Sequence, residues 1–221
     1  MYMQLSLNQK QLCEYICNQL NTFFLDYDSV TEKNLMSFLT DSIERLEYCF
    51  SKINNKYFFD GNSTIFNHLN GDQYAMLLYF LSNTAYVNKR SSKDITLASK
   101  IYLLNKALHG IDAFYEVELP KIFLFIHPLG TVLGRASYSD YLIVYQRCGV
   151  GTNKDSSPTL GKYLTLHPGS SILGESNIGE NCSIASDSLL IDRDLKDNSI
   201  YYGNPGNNRS RTNEMYNKIW F

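Results

Sequence analysis

The chain has few of the features that announce a function. Its 221 residues include only four histidines, five prolines and one tryptophan. Nowhere do about 20 apolar residues run together, so no membrane-spanning helix is expected. Lys and Arg (20) nearly balance Asp and Glu (22), and the cations are scattered. The formal net charge of −2 leaves no broad basic face, which excludes a nucleic-acid binder. The cysteines, Cys13, Cys17, Cys49, Cys148 and Cys182, are odd in number and show no zinc-ligand spacing with histidine. A complete disulfide framework and a structural zinc module are both excluded, and no metal site is expected. There is no Walker-type or GxGxxG phosphate loop. The stretch MYMQLSLNQKQLCEYICNQL is too polar for a secretory signal, so a cytoplasmic protein with reduced thiols is expected.

What is present is a period of six. Aliphatic residues lead successive blocks at Ile126, Val132, Val144, Val150, Leu160, Leu166, Ile172, Ile178, Ile184 and Leu190, with Tyr138 the one aromatic lead. A six-residue repeat marks a parallel β-helix, in which three short strands close one triangular coil. The lead aliphatic and a small residue near the end of each block should fill the prism. About four coils are expected from these blocks. The phase breaks at 150–159, where four extra residues imply a loop pushed out of one corner, a place where a site can form.

The first half has helical spacing instead. Leu7–Phe24, Leu35–Ile53, Tyr74–Tyr86 and Asp94–Ala113 carry apolar residues on one face. Thr31, and Thr40 with Asp41, can cap helix starts. Asn54–Asn70 reads as a connector. The expected organisation is an α-helical domain over 1–117, a short β-helix over 118–205, and a tail over 206–221 whose apolar end, Ile219-Trp220-Phe221, should dock on the body.

The repeats resemble those of hexapeptide-repeat acyltransferases with a left-handed β-helix, and the left hand is supplied by that resemblance. The order of helical domain and then repeats resembles bacterial serine acetyltransferases. Leu108-HGIDAFYEVE looks like the end of that family's helical domain. His127-PLGTVLG matches its H-x-x-G-x-V-x-G segment, Tyr145-QRCGVG its strand before the extruded loop, and Ile172-LGESNIGENCSI its later coils. Gly203-Asn204-Pro205 stands where the family ends its repeats. The likeness covers roughly residues 95–206. The reading His127-PLGTVLGRA is more similar still to serine-acetyltransferase-like O-acetyltransferases of surface polysaccharide (capsule or O-antigen) biosynthesis.

The resemblance implies acetyl-CoA as donor and His127 as general base. It places a carboxylate behind the imidazole, with Glu118 first choice and Glu116 and Asp112 after it. Backbone near Gly151 and Thr152 would serve the oxyanion, and Gln146 would line the site. Gly151, Ala185 and Gly203 are candidate coenzyme contacts, and Lys162 or Arg209–Arg211 could meet its phosphates. His167 and Ser157 are candidate acceptor contacts. His109 reads as packing and His68 as surface. Where the family carries an Arg-His pair in the extruded loop, this chain has Ser156 and Ser157. Neutral hydroxyls cannot form the bidentate clamp that an α-carboxylate calls for. A sugar hydroxyl is therefore the expected acceptor, with serine the alternative and a non-catalytic solenoid scaffold a third reading. The resemblance also implies a cyclic trimer, which the helical domain could pair into a hexamer.

Overall fold

The computed structural model describes residues 3–26, 29–214 and 218–221. Four helices come first: α1 (Gln9–Phe23), α2 (Glu32–Phe50), α3 (Gly71–Val87) and α4 (Ser92–His109). Their starts are set by side-chain caps. Asn8 and Gln11 form a reciprocal box on α1, Thr31 takes the Asn34 N–H on α2, and Asn70 takes the N–H groups of Asp72 and Gln73 on α3. Thr40, expected as a cap, lies inside α2, because its hydroxyl bonds the Met36 carbonyl one turn back at 3.0 Å. Gly110 ends α4 at φ +63, a left-handed position that favours glycine. Two short strands, β1 (Gln4–Leu5) and β2 (Ile65–Phe66), pair in parallel beside the helices.

Helix α3 is buried on every side from Gln73 to Ala85 and forms the spine of the helical half. No helix among the described residues is long and apolar enough to cross a membrane.

The solenoid strands are β3 (Asp112–Ala113), β4 (Phe123–Phe125), β5 (Val132–Leu133), β6 (Leu142–Val144), β7 (Gly149–Gly151), β8 (Thr159–Leu160), β9 (Thr165–Leu166), β10 (Ser171–Leu173), β11 (Asn177–Ile178), β12 (Ser183–Ile184), β13 (Leu189–Ile191) and β14 (Ser199–Asn204). Strands β4, β6, β9, β12 and β14 stack in parallel on one face, β3, β5, β7, β10 and β13 on the next, and β8 with β11 on the third. The result is about five turns, one more than the phased blocks suggest. The difference arises because β3 already pairs with β5, ahead of the 118 boundary. Strand β15 (Asn207–Thr212) then folds back antiparallel on β14, so 206–221 is no simple tail. Its apolar end does dock: Trp220 bridges to Ile53, and its ring meets the edge of Tyr141.

Leu133, Val150, Ile172 and Leu190 stack inside one face, and Val144, Leu166, Ile184 and Tyr201 inside another. The small residues Cys148, Ser170, Ser176, Cys182 and Ser188 fill the corners. The first coil corrects the expected phase. Phe125 and Leu133 point inward there, while Val132 is 50% exposed and Ile126 only partly buried. Phe125 and Leu133 stand eight positions apart, whereas Val144 and Val150, their partners above, stand six apart. Tyr145 therefore lies above Ile126, and the Arg147 N–H bonds the Leu129 carbonyl. His127 and Pro128 have no counterparts in the next coil and form a two-residue bulge at the first corner.

Phe123 joins the two halves. It is fully buried, with its ring 5.1 Å from Phe80 and 5.6 Å from Tyr79 on α3, and its carbonyl accepts from the Cys49 thiol. Phe123→Ala should cost about 3–5 kcal/mol of stability. Urea denaturation followed by circular dichroism measures this, and a loss below 1 kcal/mol would show the junction to be loosely packed.

Candidate active site

The bulge at His127 is built by the helical half as much as by the solenoid. The His127 N–H, which no strand engages, donates to Asp72 Oδ1 at 2.9 Å. Three residues on, the Gly130 N–H donates to the Gly110 carbonyl at the end of α4, at 2.8 Å. Between these anchors the backbone is left-handed at His127 (φ +50) and at Gly130 (φ +74). The second Asp72 oxygen lies 3.7 Å from His127 Nδ1. The His127 side chain is 79% exposed and that of Asp72 23%. Burial raises the Asp72 carboxyl above its ordinary value, against the pull of the His127 N–H and the imidazole.

The carboxylates expected behind the imidazole lie elsewhere. Asp112 is tied to Lys106 and to the Tyr102 hydroxyl, each at 2.6 Å. Glu116 and Glu118 line a separate cleft with Arg45 and Asn83. The Val117 carbonyl and Leu119 N–H that flank Glu118 both bond the Tyr79 hydroxyl. Tyr79 lies seven residues along α3 from Asp72, roughly 10 Å at about 1.5 Å per residue. The structure does not bring Glu118 to His127. Asp72 was missed because it is 55 residues away in sequence; its only local sign is an acidic residue in the first turn after a capping Asn.

Along the first corner above the bulge run Gln146, Pro168, Ser186 and Gly203, one from each coil, and beside them Tyr145, His167, Ala185 and Tyr202. Tyr145 and His167 stack at 5.6 Å. The Gln146 side-chain oxygen is buried without a hydrogen-bond partner among the described residues. His167, Ala185 and Ser186 open into a groove of about 650 Å³ shared with Tyr163, Tyr202, Arg211 and Lys218. Among the described residues no acidic side chain lines it. Arg209 and Arg211 both sit over the Tyr202 ring. Lys162 lies outside it, beside Ser137 and Asp140.

Gly151 and Thr152 are not at this corner. They end the second face at the next corner, where the extra residues form a tight hairpin: Asn153 and Ser156 exchange backbone hydrogen bonds at 3.0 Å, with Lys154 and Asp155 left-handed between them. Ser157 is exposed and Pro158 buried. Within one chain the second corner is a face-width from the first.

The other histidines have structural partners. His68 Nδ1 meets the Ser6 hydroxyl at 2.8 Å, and its ring is edge-on to Tyr15. His109 Nδ1 meets Asn105 Oδ1 at 2.8 Å, and its ring is edge-on to Tyr74. No three of His, Cys, Asp and Glu converge as metal ligands among the described residues.

No protein-family model matches the chain. A serine acetyltransferase from Synechococcus elongatus is 32% identical over 108 residues, covering 47% of this chain and 44% of that protein. The chain thus matches less than half the length of this curated relative. The serine acetyltransferase of Neisseria gonorrhoeae, solved with serine, superposes with a TM-score of 0.70 over 94% of this chain and 84% of that one, at 16% identity. A serine acetyltransferase solved with CoA gives 0.68 over 93% and 85%, at 14% identity. At such identities the structures establish the fold, a helical region followed by a left-handed β-helix.

Burial lowers the His109 pKa below its ordinary 6.5. The unfolded chain then binds a proton near that pH that the folded chain refuses. The stability this contributes is complete above pH 6.5 and is lost as pH falls through the depressed folded value. The melting temperature should drop as pH falls below the ordinary histidine value of 6.5, and drop less in His109→Gln. Equal slopes in the two proteins would assign the loss to other groups.

Proposed function

We propose that the chain is an acetyl-CoA-dependent O-acetyltransferase with His127 as its general base. The observation that carries this reading is the His127–Pro128 bulge, which holds an exposed imidazole against a half-buried carboxylate. An alcohol keeps its proton at neutral pH, so a positioned base is needed, and such help is worth roughly 10²–10⁴ in rate. His127 Nε2 takes the hydroxyl proton as the alcohol oxygen attacks the thioester carbonyl. Collapse of the tetrahedral adduct breaks the C–S bond, and the coenzyme thiolate recovers the proton from the imidazolium.

The groove at Ala185, Tyr202 and Arg211 suits the nucleotide end of the donor, with cations for phosphates and rings for a base. Ser186 lies three coils above the His127 corner, roughly 14 Å at the usual strand spacing, a distance that a pantetheine arm can span. One matched serine acetyltransferase was solved with CoA.

Serine leads as the acceptor, because the curated relative is a serine acetyltransferase and one matched structure holds serine. A single observation favours the second reading, a sugar hydroxyl of a surface-polysaccharide precursor: the extruded hairpin offers Ser156 and Ser157 where a carboxylate clamp would need a cation. A cyclic trimer, with hexamers through the helical halves, would set one protomer's second corner, with Gly151 and Thr152, beside the next protomer's His127.

Release of CoA thiol from acetyl-CoA is the assay, with serine and with nucleotide sugars as acceptors. Turnover with serine supports the leading reading, and turnover with sugars alone transfers it to the second. His127→Ala should lose roughly 10²-fold or more of kcat and still bind CoA by calorimetry. A chain that binds no CoA and transfers no acetyl group sinks both.

A further inference from the structure

We infer that Asp72 is the positioning residue of the His127 base, so that helix α3, and not the solenoid, supplies the carboxylate behind the imidazole. This rests on the transferase reading above for its chemistry, and on the geometry alone for its placement.

Asp72 is prepared for that task. Its own helix does not consume it, because Asn70 Oδ1 already caps the N–H groups of Asp72 and Gln73 at 3.1 and 3.3 Å. Its position in the first turn of a 17-residue helix favours the ionised form, against the desolvation of a side chain 23% exposed. The 2.9 Å bond from the His127 N–H pins Oδ1, and that fixes where Oδ2 can be. Oδ2 faces Nδ1 at 3.7 Å, a contact that a small ring rotation closes to a hydrogen bond. A carboxylate there keeps the proton on Nδ1, leaves the lone pair on Nε2, and balances the imidazolium that forms during transfer. Nε2, across the ring, is turned away from Asp72. The bulge is what allows this: a His127 within the regular ladder would donate its N–H to a neighbouring coil, and Asp72 would have nothing to hold. The α4 end adds rigidity, since Asn105 Nδ2 bonds the Ala75 carbonyl of α3 at 3.0 Å and Gly110 receives the Gly130 N–H.

Asp72→Asn tests it, because the amide oxygen can still accept the backbone N–H while the charge is gone. The expected result is a kcat lower by on the order of 10- to 10²-fold, with the KM for acetyl-CoA and the melting temperature unchanged. The ¹⁵N signals of the His127 ring should report an Nδ1–H tautomer in the wild type and a mixture in the variant. Asp72→Glu, which keeps the charge, should restore the wild-type ring signals at least in part. The ring signals need no turnover. If the chain transfers no acetyl group and the tautomer still shifts in Asp72→Asn, the transferase reading falls and the positioning role stands. Wild-type kcat or an unchanged tautomer in Asp72→Asn overturns the inference.

Discussion

The corner that carries His127 depends on two hydrogen bonds to groups outside the solenoid: the His127 N–H to Asp72, and the Gly130 N–H to the Gly110 carbonyl. A parallel β-helix satisfies its backbone by stacking coil on coil, and a bulge interrupts that. Two extra residues at the first corner would leave polar backbone unpaired unless something adjacent received it. The ends of α3 and α4 are that something. Pro128 reduces the demand further, since it has no N–H to satisfy. The helical half is therefore part of the corner's hydrogen bonding as well as a neighbour packed against it.

Helix α3 can receive the His127 bond because it is buried along most of its length. Its buried run from Gln73 to Ala85 packs against α2, α4 and the aromatic junction at Phe123. Arg45 reaches from α2 to Asn83 and Thr84, and Asn105 reaches from α4 to the Ala75 carbonyl. A carboxylate at the start of such a helix is held by that packing, and the His127 backbone bonded to it shares the support. The exposure of the imidazole and the burial of its support are thus compatible: the ring faces outward, and what fixes it is inside.

The period of six was legible because a prism has room for only one large side chain per strand. Hence Val150, Leu166, Ile172, Ile184 and Leu190 fall where the spacing puts them. The four-residue insertion was legible as a break in that spacing. The bulge was not, because the block leads Ile126 and Val132 are themselves aliphatic and six apart. Their spacing imitates the repeat, while Phe125 and Leu133 occupy the interior. The placement of Glu118 failed for a related reason. Nearness in sequence to His127 suggested nearness in space, but the Tyr79 hydroxyl holds both backbone neighbours of Glu118 to the middle of α3. Asp72 belongs to a contact across 55 residues, and a single sequence carries no sign of such a contact beyond a well-capped helix start.

Both insertions into the ladder fall in the first two coils, at successive corners. At the first corner two residues leave the ladder and present an imidazole; at the second, four extra residues form a hairpin with Lys154 and Asp155 at its tip, followed by Ser156 and Ser157. Elsewhere the coil strands pair with the coils above and below, and the residues facing outward from β7 and β10 are Gly149, Gly151, Ser171 and Leu173. Residues outside the ladder are the ones with freedom to meet a ligand. In one chain the two insertions are separated by a face and cannot act on one substrate. In a closed ring built on the proposed threefold axis, one protomer's first corner turns toward the next protomer's second. That geometry would make the proposed base and the hairpin halves of one site, and would let the hairpin vary to suit a new acceptor while the helices hold the His127 corner.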